Sequence, residues 1–140
     1  MKKLIKYFLL VLIVNTQAIA AEVYQPDSGD KELDEQLQLI NKKINRRTRL
    51  KLGNFVDKVA QEFQVPVSKV EALFNHYEFK APDVLMSVSI ADVSGEPLNN
   101  VSSVYFKNKD KGWKYTLMQM NIVKGSKTYN QIKKDMMVEY

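Results

Sequence analysis

The sequence predicts an all-α fold, a compact orthogonal bundle of six or seven mostly short helices arranged as helical hairpins. Three observations lead there. Apolar residues recur at spacings of three and four, as in Leu33, Leu37, Ile40 and Ile44, which places them on one helical face. No segment alternates apolar and polar residues for long enough to argue a sheet. Helix-start residues and glycine or proline stops recur along the chain and divide it into short helical lengths.

Residues 1–20 read as a secretory signal peptide. Lys2, Lys3 and Lys6 supply a positive start, Tyr7 to Val14 an apolar run too short to span a bilayer, and Ala18-Ile19-Ala20 a small-x-small cleavage pattern. Cleavage after Ala20 is expected, and it removes three lysines and no acid, so the net charge falls from +5 to +2. The absence of cysteine excludes disulfides, thiolate metal sites and a lipid-modified N-terminal cysteine. Residues 21–29 are expected to form a flexible leader, and 30–140 a single helical domain with a modest core.

The first helix opens at Asp30 with acids in its first turn and bases towards its end, as the helix dipole favours, and Gly53 is expected to stop it. Asn54 then caps a helix from Phe55 to about Gln64. Ser68 and Glu71 form a capping-box pattern for a third helix, to about Phe79. Asp83 is expected to cap the apolar stretch that Gly95 ends, and Pro97 suits the first turn of a helix carrying Val101, Val104 and Tyr105 inward. A charged loop, KNKDKG, leads to a helix from Trp113 to about Met120, and Gly125-Ser126 restarts the last helix, ending near Met136. Ala60-Phe63-Val65, Ile90-Val93-Gly95 and Leu117-Met120-Ile122 form a faint echo, with spacings of three then two before each new helix.

The stretch Val56 to Phe74 has the apolar pattern of a helix-turn-helix, with Gln64 at the turn position usually held by glycine. All the matching residues are packing residues, however. The second helix offers Lys69, Asn75 and His76 beside Glu71 and Glu78, a poor surface for phosphate. The densest charge lies at Lys42, Lys43, Arg46, Arg47, Arg49 and Lys51, six bases in ten residues with no acid among them. It reads either as a site for an anionic partner or as a solvated helix end whose bases pair with acids distant in sequence. Tyr105, Trp113 and Tyr115 form an aromatic cluster beside the charged loop and could line a groove, or be core. No residue is assigned a catalytic role. His76 is the only histidine, and there is no glycine-rich phosphate loop, nucleophile elbow or metal-ligand spacing, so neither a metal nor a cofactor is expected.

Pro82-Asp83, Ser94-Gly95-Glu96-Pro97-Leu98, Tyr105, Gly112-Trp113, Ile122 and Gly125-Ser126 together resemble a group of small secreted helical proteins of Gram-negative bacteria. Their shared pattern is a proline-aspartate helix start, an SGxPL turn, a helix ending in tyrosine, a Gly-Trp loop and a GS-started last helix. The chain departs from it at Lys114, where such proteins often carry glycine, and near Asn130-Gln131, where a histidine is common. The resemblance implies a helical fold and an envelope address, and no site. Together these readings lead to a non-catalytic periplasmic binding or adaptor protein, its partner an anionic envelope component or another periplasmic protein. A helix-turn-helix nucleic-acid-binding protein and a small cell-envelope enzyme are the alternatives.

Overall fold

The computed structural model describes residues 23–44 and 49–140, and among them the fold is all helical. Seven α-helices follow in order: α1 Lys31–Lys43, α2 Arg49–Glu62, α3 Val67–Asn75, α4 Ala81–Ser94, α5 Leu98–Lys107, α6 Gly112–Gln119 and α7 Lys127–Met136. A 3₁₀ turn at Lys109–Lys111 stands where the charged loop was expected. The expected signal segment, Asn45 to Thr48 and the first two leader residues lie outside the described residues.

α4 is the axis of the bundle. Its residues from Ala81 to Ile90 are all buried, and it packs against α1, α3, α5 and α7. A helix apolar on every side must be enclosed, and this one carries its few polar groups only with partners. Ser87 donates to the Asp83 carbonyl at 2.8 Å, and Ser89 donates to Asp135 of α7 at 2.7 Å. α1 lays Leu33, Leu37 and Ile40 on this core, and Ile44 follows them just beyond the helix.

Helix boundaries depart from the sequence reading in ways with local causes. Gly53 lies inside α2, exposed and with open space around its Cα, so it lowers helix propensity without stopping the helix. α1 ends earlier, at Lys43, where Ile44 turns extended. α3 starts at Val67, because Pro66 presets the backbone angle and its carbonyl accepts from Lys69 and Val70, so Ser68 and Glu71 cap nothing. It ends at Asn75, and the left-handed Glu78 then turns the chain to seat Phe79 in the core. α4 begins two residues ahead of Asp83, which sits in its first turn.

The echo has a partial structural basis. After α2, Gln64 is left-handed and the Val65 amide donates to the Ala60 carbonyl at 3.0 Å. After α6, Asn121 is left-handed and the Ile122 amide donates to the Leu117 carbonyl at 2.9 Å. Both are Schellman stops whose last residue is buried or half-buried and anchors the turn. After α4 it is Gly95 that is left-handed, donating to Ala91, so the third copy is one residue out of register.

The leader is a packed strap along its described length. Tyr24, Pro26, Ser28 and Asp30 point inward in alternation, and the Trp113 and Lys114 amides donate to the Pro26 and Asp27 carbonyls at 2.9 and 3.0 Å. Asp30 ends the strap and caps α1, accepting from the Glu32 and Leu33 amides. Its other carboxylate oxygen accepts from the Tyr129 hydroxyl at 2.8 Å and from Lys133 at 3.0 Å, which ties α1 to α7. Burial alone would raise the pKa of Asp30, but the bonds from Lys133, Tyr129 and Leu33 outweigh it and hold the carboxyl down at about 2, against an ordinary 3.8.

A depressed carboxylate stabilises the fold above its unfolded pKa and loses that contribution as pH falls through the folded one. Urea denaturation across a pH series should therefore show about 2 kcal/mol of stability disappearing between pH 4 and pH 2. Asp30→Asn, which keeps an oxygen for the cap, should flatten that limb, and an unaltered limb would remove Asp30 as its source.

Candidate functional site

The basic stretch lies at the α1–α2 end of the bundle. Lys42 and Lys43 close α1, and Arg49 and Lys51 open α2; all four are exposed, while Arg46 and Arg47 lie outside the described residues. Lys42 and Lys43 suit the C-terminus of α1, where the helix dipole favours cations.

Helix geometry adds Lys58, about two turns beyond Lys51 on the same face of α2. Lys43, Lys51 and Lys58 surround a cleft of about 520 Å³ whose floor includes Ile44, Phe55 and Tyr140, with Asp57 the acid among its lining. Among the described residues no ion pair involves Lys42, Lys43, Arg49, Lys51 or Lys58; the ion pairs join Lys31, Lys114 and Lys133 to acids elsewhere. For these five bases, pairing with acids distant in sequence is not what the fold provides.

The aromatic cluster is divided between core and surface. Tyr105 and Trp113 stack face to face with ring centroids 3.7 Å apart, and both are buried. Tyr115 is half-buried, with the Lys111 ammonium 4.4 Å from its ring centroid. Tyr105 lines a cleft of about 480 Å³ bounded by Tyr24, Lys80, Asp83 and Lys109 together with the acids Asp27, Glu78 and Asp110.

At the base of that cleft lies Asp83, a buried carboxylate to which the sequence reading assigns only a capping role. Asp83 Oδ1 accepts from the Tyr24 hydroxyl at 2.7 Å and from Trp113 Nε1 at 3.1 Å, the Tyr105 hydroxyl faces the same carboxylate, and Oδ2 accepts from the Lys80 amide at 3.3 Å. Burial pushes the Asp83 pKa up, and the hydrogen bonds from Tyr24, Trp113 and Tyr105 only partly reverse it. Burial, then the neighbouring carboxylate, raises both tyrosines as well. Gly112 lets the strap cross here: at φ +70 and ψ −177 it occupies a region nearly reserved for glycine, and a Cβ would meet Asp27 at 2.6 Å. With donors filling both oxygens, this arrangement fastens the strap to α4, α5 and α6, and leaves little capacity for chemistry on a substrate.

His76 is exposed and packs edge-on against Tyr77 at 4.8 Å. Among the described residues no cluster of His, Asp and Glu could hold a metal ion, and no helix is long and apolar enough to cross a membrane. No protein-family model, curated protein or solved structure matches the chain.

Tyr24→Phe removes one donor to a buried carboxylate and should cost about 1.5–3 kcal/mol in denaturant unfolding. The sign of the pH effect is opposite to that of Asp30. A raised folded pKa means that stability declines as pH climbs from about 4 through the folded value. Asp83→Asn should remove that decline, and a slope that survives the substitution would show that another group causes it.

Proposed function

We propose that the protein is a non-catalytic binding or adaptor protein of the cell envelope, engaging an anionic partner through the α1–α2 end. The observation that carries the reading is the set of five exposed bases at this end with no ion-pair partner among the described residues, three of them, Lys43, Lys51 and Lys58, around one cleft. Like charges gathered at one end of the bundle repel one another, so a bound anion relieves that penalty. The signal-like residues 1–20 and the resemblance to secreted helical proteins support the address. The helix-turn-helix alternative gains nothing from the fold, since exposed α3 positions include Ser68, Glu71 and Ala72 as well as Lys69.

Two measurements test this reading. Osmotic shock of the native host should release a species whose intact mass starts at Ala21; a full-length species confined to the cytoplasm overturns the address. Titration of the purified protein with soluble polyphosphate should show binding that weakens steeply as salt rises past about 0.1 M, where screening acts over about 10 Å. Lys43→Glu with Lys51→Glu should reduce that binding by roughly tenfold or more, and binding indifferent to both salt and charge reversal would exclude the site.

A further inference from the structure

Resting on that reading of the α1–α2 end, we infer that the anionic partner is the surface of a phospholipid bilayer rather than a soluble polyanion. The bases do not stand alone. Leu39, Leu50, Met137 and Val138 are 48%, 73%, 45% and 45% exposed, and all four belong to this part of the molecule. Leu39, Met137 and Val138 line a small cleft of about 160 Å³ together with Lys43, Ile44 and Tyr140. Lys43, Ile44 and Tyr140 also line the larger basic cleft, so the apolar and basic surfaces meet along a shared edge. Leu50 stands between Arg49 and Lys51 at the start of α2 and is among the most exposed large apolar residues described.

A soluble polyanion would use the charges and leave those four apolar side chains in water. A lipid surface uses both. Lysine and arginine heads meet the phosphates while their stems lie along apolar surface, and leucine, valine and methionine enter the boundary between headgroups and acyl chains. The acids nearby, Asp57 and Glu139, are outnumbered by the five bases, so the net field at this end favours an anionic leaflet.

The test is co-sedimentation of the protein purified from its host with vesicles of phosphatidylglycerol and, separately, of phosphatidylcholine, beside the polyphosphate titration. Binding to the anionic vesicles should exceed binding to the zwitterionic ones by at least about tenfold. Leu50→Gln with Val138→Gln, both exposed and so tolerable to the fold, should weaken anionic-vesicle binding by roughly tenfold and leave polyphosphate binding unchanged. If polyphosphate binds but anionic vesicles bind no better than zwitterionic ones, or if the apolar pair can be replaced without loss, the bilayer is not the partner and the basic-end reading survives. If Lys43→Glu with Lys51→Glu alters neither vesicle nor polyphosphate binding, the basic-end reading itself falls.

Discussion

A carboxylate cannot be taken out of water without donors to replace the solvent, and the fold is arranged around meeting that requirement at Asp83. The donors come from the strap through Tyr24, from α6 through Trp113 and from the backbone entering α4 through Lys80. Two of these partners lie 59 and 30 residues away in sequence. Removing any one leaves the others beside a buried group that is harder to satisfy, so the contacts reinforce one another. The Tyr105–Trp113 stack encloses the same point, and Phe79 packs edge-on against Tyr105 from the far side. Strap, central helix and the α5–α6 hairpin therefore close on one group.

Local chemistry was legible in the sequence to the extent that local chemistry decides structure. The stripe Leu33-Leu37-Ile40-Ile44 is buried throughout, Gly95 stops α4, and Ser126 caps α7 by accepting from the Tyr129 amide. The misplaced boundaries share a cause: each rests on one residue whose preference a neighbour overrides. Gly53 yields to the packing of Phe55 and Val56, and Ser68 to Pro66 two residues earlier. The strap was misread because proline, glycine and low hydropathy suggested a free segment. The signal that could have found it is its alternation, with Tyr24, Pro26, Ser28 and Asp30 all on one side.

The candidate site was legible only as charge. Lys42, Lys43, Arg49 and Lys51 are adjacent in sequence, so their clustering needs no fold to reveal it. Lys58 joins them along one face of α2, and Tyr140, Met137 and Val138 through tertiary packing, which no local pattern announces. The residues that carry the resemblance to secreted helical proteins lie elsewhere. Asp83, Tyr105, Gly112 and Trp113 form the carboxylate node, and Gly95 and Ser126 start or stop helices. Those residues therefore serve the fold, while the basic surface at the α1–α2 end is built from others.

The single tryptophan gives this division an optical consequence. Its indole is fully buried, stacked on Tyr105 and bonded through Nε1 to the carboxylate, whereas the α1–α2 end contains none. Indole emission thus watches the strap node and is blind, by position, to whatever docks beside Lys43. A change in that emission when a partner binds would be a report of strain carried through the bundle from one end to the other.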